Sequence, residues 1–298
     1  MSGPVVVGVD SSPYAMGAVD AAAREALLRG AELHVVHAFV WPAMHVPPGA
    51  SPLGPPGGGV RDLVEHLLHE AVDRAQAAAP GVRTTSAVMP GEPVAALEAE
   101  SRTARLVVVG HRGTGGIRGL LLGSTAVHLA AHGHCPVMVV RGRTGPEGPE
   151  GPVLVAVDGS PQGLGAIRFA FAEAQLRGSE LVALHAWSTW SDHGESGPGH
   201  PVELVDLIGD MDRQRTVEER LLAEALSGHR EQYPEVTVRQ RIVRGRTRPT
   251  LIEASESAQL IVVGARGRGG FAGLLLGSVS QAVLHHAHCP VTVVRSGL

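Results

Sequence analysis

Two stretches of the chain hold residues that could grip an anion. The first reads Gly110-His111-Arg112-Gly113 and, after nine residues, Gly123-Ser124; the second reads Gly264-Ala265-Arg266-Gly267 and, after nine, Gly277-Ser278. Each follows an apolar run, Leu106-Val107-Val108-Val109 or Leu260-Ile261-Val262-Val263, that reads as a buried strand, and each leads into a helical segment. Glycines at the end of a strand let backbone N–H groups come close to a ligand. A Gly-Ser pair opening the next helix adds a hydroxyl and the positive end of the helix dipole. Together these features make a phosphate cradle. A glycine-rich turn can also be plain structure, but recurrence of the whole pattern favours binding.

The elements that must position the cradles follow the same repetition. Pro4-Val5-Val6-Val7-Gly8-Val9 reads as a buried parallel strand ending at Asp10-Ser11-Ser12-Pro13, where a helix begins and Asp10 could serve as its N-cap. Helix 1 stops at Gly30, strand 2 covers 32–38, and 40–59 is a Pro/Gly-rich loop or lid. Leu63, Val64, Leu67, Leu68, Ala71 and Val72 recur at helical spacing, giving helix 2 over 61–79, ended by Pro80-Gly81. Strand 3, helix 3, strand 4, the glycine loop, helix 4 and strand 5 at 136–140 complete the unit. Gly142 to Gly151 has no apolar residue to bury and reads as a linker. The pattern then restarts at Val153 and meets Asp158-Gly159-Ser160-Pro161. The expected architecture is α/β: domains 1–141 and 152–298 joined by a linker at 142–151. Each is a Rossmann-like five-stranded parallel sheet of order 3-2-1-4-5 with helices on both faces, an order that sets Asp10 beside the first glycine loop. Strand 5 would then be an edge. Val137 to Val140 and Val291 to Val294 are too apolar to stay open, so the two edges are expected to pair within the chain.

Composition narrows the function. A net charge of −4 supplies no basic field for nucleic acid, and 3% aromatic residues leave few platforms for stacking bases. No apolar run reaches the roughly 18 residues of a membrane span. The chain also enters a strand with no charged region ahead of it, so a cytoplasmic protein is expected. All 25 basic residues other than histidine are arginine, which excludes a Walker A lysine, a kinase-type ATP lysine and Schiff-base chemistry. Cys289 lies 154 positions after Cys135, the offset that also separates Gly264 from Gly110, so a repeated fold position explains the cysteines better than a disulfide.

These residues resemble the universal stress protein family in its tandem, ATP-binding form. The likeness covers both halves. It rests on Asp10-Ser11-Ser12 and Asp158-Gly159-Ser160, on His37-Ala38 and His185-Ala186, on both glycine loops, and on Cys135-Pro136 and Cys289-Pro290. It implies an ATP site in each half, with Mg2+, and a nucleotide-dependent regulator of stress response or dormancy. Carried over by position, the first site comprises Asp10 and Ser11, Ala38 at the adenine edge, and Val109, Gly110, Arg112, Gly113, Gly123, Ser124 and Thr125. The second comprises Asp158 and Gly159, Ala186, and Val263, Gly264, Arg266, Gly267, Gly277, Ser278 and Val279. Asp10 and Asp158 are the candidate Mg2+ contacts. The family also implies dimers of tandem chains, with no nucleic-acid or membrane partner.

The residues themselves support this reading. A carboxylate can accept from a ribose hydroxyl or hold a hydrated Mg2+, and Arg112 and Arg266 can pair with phosphate in the absence of lysine. His132-Gly133-His134-Cys135 and His285-His286-Ala287-His288-Cys289 could bind zinc, or they could serve as a helix end followed by a packed cysteine. No Gly-x-Ser-x-Gly elbow or carboxylate pair positions an attacking water, so at most slow ATP hydrolysis is expected. Adenylyl transfer on the same fold is the alternative, against which the helix after strand 1 lacks a His-x-Gly-His signature.

Overall fold

A computed structural model describes residues 3–39, 59–114, 122–141, 150–188, 204–268 and 275–297. The expected lid at 40–59, except Gly59, and the expected linker at 142–151, except Glu150 and Gly151, lie outside the described residues. The first half runs β1 (Val5–Gly8), α1 (Pro13–Leu28), β2 (Leu33–Phe39), α2 (Val60–Ala78), β3 (Thr84–Pro90), α3 (Pro93–Glu100), β4 (Leu106–Gly110), α4 (Ser124–His132), β5 (Val137–Val140). The second runs β6 (Val153–Ala156), α5 (Leu164–Arg177), β7 (Leu181–Trp187), α6 (Leu204–Gln232), β8 (Val238–Arg244), α7 (Thr247–Ala254), β9 (Leu260–Gly264), α8 (Ser278–His286), β10 (Val291–Val294). The second half's extra length sits in α6, which has 29 residues against 19 in α2.

The strands form one ten-stranded sheet, in the order β3-β2-β1-β4-β5-β10-β9-β6-β7-β8. All neighbours are parallel except β5 and β10, which pair antiparallel with Val139 opposite Val291 and Met138 opposite Thr292. Continuous valine runs suit strands buried on both faces. In β1 and its continuation, Val5, Val7 and Val9 face the layer of α1 and α2, while Val6 faces the layer of α3 and α4. Both core layers run through the two halves without a break.

α2 turns Val64, Leu68, Ala71 and Ala75 to the core, but Leu63 is 70% exposed. The buried set follows a spacing of four, three and four, and Leu63 stands one residue, about 100°, off that stripe. The cap of α1 falls within the expected Asp10-Ser11-Ser12-Pro13 stretch. Ser12, not Asp10, caps it, its hydroxyl accepting from Ala15 N at 3.2 Å, with Pro13 in the first turn. Asp10 is thereby released from the helix.

Two reciprocal contacts flank the β5–β10 seam. Arg295 Nη1 donates to the His132 and Gly133 carbonyls at 2.7 and 2.9 Å, and Arg141 Nη1 donates to the Leu284 carbonyl at 2.6 Å. Each half thus supplies an arginine to the negative end of the other's last helix.

Candidate functional site

The winding reverses between β1 and β4, and a crevice opens there beyond the strands' carboxyl ends. Freed from capping, Asp10 turns into it. Its Oδ1 accepts from Ser12 N at 3.1 Å and its Oδ2 from Thr114 N at 2.8 Å. A carboxylate at the end of one strand therefore holds the glycine loop at the end of its neighbour. The second half repeats this: Asp158 Oδ1 accepts from Ser160 N and Oγ at 2.9 and 2.8 Å, and Oδ2 from Arg268 N at 2.7 Å. Behind the carboxylates, His37 and His185 donate from Nδ1 to the Val9 and Val157 carbonyls at 2.9 and 2.7 Å, which fixes the strand ends.

The cradle glycines answer to different neighbours. A Cβ on Gly110 would stand 2.8 Å from the Tyr14 carbonyl, so this glycine lets α1 approach β4. A Cβ on Gly113 or Gly267 would stand 2.5 or 2.3 Å from the Asp10 or Asp158 Oδ2. Gly123 and Gly277 meet nothing closer than 3.6 and 3.5 Å, so a Cβ there would intrude only on the cavity side. These last two are the N-caps of α4 and α8 and offer no side-chain hydrogen bond, which leaves first-turn N–H groups available to a ligand.

The crevices enclose cavities of about 420 Å³ in the first half and 510 Å³ in the second, a size that suits a small organic ligand. Asp10, Ala38, Val109, Gly110, Arg112 and Gly113 line the first, joined by Gly123, Ser124 and Thr125. Asp158, Ala186, Val263, Gly264, Arg266 and Gly267 line the second, joined by Gly277, Ser278 and Val279. Ser11 and Gly159 lie outside the lining; Ser11 is exposed, and Gly159 adopts φ +71° beneath Leu221 and Arg268. The sequence reading missed one wall of each cavity: Glu92, Pro93, Val94 and Leu97 in the first, Thr247, Arg248 and Leu251 in the second. These residues begin α3 and α7, beside the ends of β2 and β7. Thr247 Oγ1 donates to the Ala186 carbonyl at 3.4 Å.

Around the first loop, His111 packs edge-on to Tyr14 with ring centroids 4.4 Å apart, and Arg112 lies over the same ring. Burial, then Arg141, pushes the His111 imidazole below its ordinary range, so it stands neutral at pH 7. The Arg112 Nε is buried with no partner among the described residues. Cys135 and Cys289 are buried thiols pushed up to about 12 by burial, and among the described residues no histidine, cysteine and carboxylate group could hold a metal. The thiols pack as small apolar groups.

A repeated crevice with these residues marks a family rather than a single activity. The sequence profile of the universal stress protein family matches residues 1–141 and again 151–295. The chain belongs to that family. Universal stress protein Rv2623 of Mycobacterium tuberculosis is 39% identical over 302 residues, spanning 99% of this chain and 97% of that one. Universal stress protein Rv1996 of the same organism is 40% identical over 321 residues, spanning 98% and 94%. The crystal structure of a universal stress protein from Archaeoglobus fulgidus superposes over all of both chains with a TM-score of 0.66 at 20% identity, a likeness of fold. Within this universal stress protein the halves are not copies. Positions 154 apart pair Glu92 with Arg246, Val94 with Arg248 and Thr114 with Arg268. Ser280 Oγ donates to the Gly264 carbonyl at 2.6 Å, where the first half has Ala126.

Proposed function

We propose that this universal stress protein binds ATP in both halves and acts as a nucleotide-dependent regulator, the occupied crevices altering the surface offered to partners. One observation carries the reading. The same crevice is built twice from distant segments, with an aspartate, a glycine loop clamped to it, and a helix N-terminus without a side-chain cap. Phosphates fit the loop and the helix terminus, where backbone N–H groups and the dipole favour negative charge. The base fits the opposite, apolar wall at Ala38 and Leu97, or Ala186 and Leu251.

Both Asp10 oxygens and Asp158 Oδ2 accept one hydrogen bond from the chain and retain a lone pair, whereas Asp158 Oδ1 accepts two. One carboxylate suits a hydrated Mg2+ carried on the nucleotide's phosphates rather than one caged by protein. Such an ion would neutralise phosphate charge beside Asp10 and Asp158. Within the crevice itself, Arg112 and Arg266 meet phosphate, and the Asp10 and Asp158 carboxylates accept from ribose.

Calorimetric titration of the whole chain with ATP is expected to approach a stoichiometry of two, with GTP competing poorly. A stoichiometry of zero would remove the reading.

A further inference from the structure

The two cavities share their cradle but differ in charge. Among the described residues, the first is lined by one arginine, Arg112, and two carboxylates, Asp10 and Glu92. The second is lined, among the described residues, by three arginines, Arg248, Arg266 and Arg268, and one carboxylate, Asp158. Among the described residues no carboxylate forms an ion pair with these three arginines. Their charge faces the cavity and solvent.

One detail indicates that the added arginines are placed for a ligand rather than for the fold. Arg246 is the N-cap of α7 and Arg248 lies in its first turn, the end of a helix where the dipole disfavours cations. The first-half counterpart places Glu92 at the N-cap of α3, in keeping with the dipole. A local preference broken in the wall of a cavity is the pattern of a functional site. At the position of Arg268 the first half has Thr114 in place of the arginine.

We infer that the halves divide their labour: the second-half cavity selects the nucleoside triphosphate over the monophosphate, while the first-half cavity discriminates little by phosphate number. This rests on the nucleotide reading of both crevices. Taking ATP in place of AMP adds about two negative charges, and the described linings of the two cavities differ by three. At separations of several ångströms through a partly solvated site, that is worth about tenfold or more in relative affinity at low salt, shrinking as salt screens it.

The test uses full-length protein with Gly113→Ala, which leaves the second site, and with Gly267→Ala, which leaves the first. Each is titrated calorimetrically with AMP, ADP and ATP, without divalent metal, at two salt concentrations. The expected result is an ATP:AMP affinity ratio about tenfold larger at the second site, falling at high salt. Adding Arg248→Val and Arg268→Thr, the first half's residues, to the Gly113→Ala protein should bring its ratio down to that of the first site. Should either glycine variant misfold, the same arginine pair is replaced in the otherwise unaltered chain, where the tighter of two ATP-binding steps should weaken and AMP binding hold. Equal ratios at the two sites, or a ratio indifferent to the arginine exchange, would overturn the division of labour while leaving nucleotide binding intact. Absence of binding by all three nucleotides would overturn both.

Discussion

At the scale of single residues, the cradle glycines divide into those that serve the protein and those that serve the ligand. Gly113 and Gly267 let the loop close onto an aspartate, and neither adopts positive φ, so their conformation alone admits alanine. The barrier to a side chain is the carboxylate. Gly113→Ala must push Asp10 Oδ2 away and break its 2.8 Å bond from Thr114 N; Gly267→Ala must do the same to Asp158 and Arg268 N, at 2.7 Å. A hydrogen bond to a charged group contributes about 1.5–3 kcal/mol. Each variant is expected to lose roughly that much stability in urea, to lose ATP binding in its own half only, and to show about half the ATP-induced rise in melting temperature. A double variant that kept the full rise would place ATP elsewhere. Asp10 and the glycines were legible in the sequence because their types repeat at fixed offsets. Ser12 as the cap of α1 was less so. Asp10, Ser11 and Ser12 are all good caps, and only the fold shows that the aspartate is drawn away by a loop 104 positions distant.

At the scale of elements, strands and glycine loops were legible but the N-termini of α3 and α7 were not. Pro93 and Thr247 share no residue type, and what makes them cavity walls is that β3 and β8 return beside the ends of β2 and β7. Topology, not a motif, delivers them. The pattern of apolar fifth strands likewise indicates a seam without indicating its register. In that register Thr292 faces Met138, fully buried, and its hydroxyl has no side-chain or backbone partner among the described residues. An unsatisfied buried hydroxyl costs about 1–3 kcal/mol, whereas valine has the same shape and suits a strand. Thr292→Val is therefore expected to stabilise the chain by roughly 1 kcal/mol in urea denaturation. A loss of stability would mean that the hydroxyl is bonded in solution.

At the scale of the whole molecule, a buried ring of four charges joins the halves on one face of the sheet. Glu25 on α1 and Arg29 at its C-cap meet Glu173 and Arg177 on α5, with each arginine bonded to both carboxylates. The positions are 148 apart, so the ring obeys the molecule's pseudo-twofold symmetry. In the sequence each Glu–Arg pair reads as an ordinary surface contact at helical spacing, because nothing local reveals that two such faces meet. Burial is the largest influence on both carboxylates and pushes both up. At Glu25 the guanidiniums of Arg177 and Arg29 outweigh it and hold the carboxyl below its ordinary range, while Glu173 stays above it. The signs are opposite. Glu25 contributes stability that is present above its unfolded pKa and lost as pH falls through its folded one. Glu173 ionises against the fold, so protonating it favours the folded state. The two titrate as a pair, which makes substitution the cleaner probe. Glu25→Gln leaves buried arginine charge unmatched and is expected to cost about 3–5 kcal/mol in urea at pH 7, whereas replacing all four residues with apolar ones of similar volume should cost much less. Glu173→Gln mimics the protonated form the fold prefers, so its loss at pH 7 should be the smaller. It should also remove the gain in stability that protonating Glu173 supplies as pH falls from neutral. Equal losses for the two glutamines, with unchanged pH profiles, would show that the ring shares its charge evenly and that neither carboxylate is singled out by its surroundings.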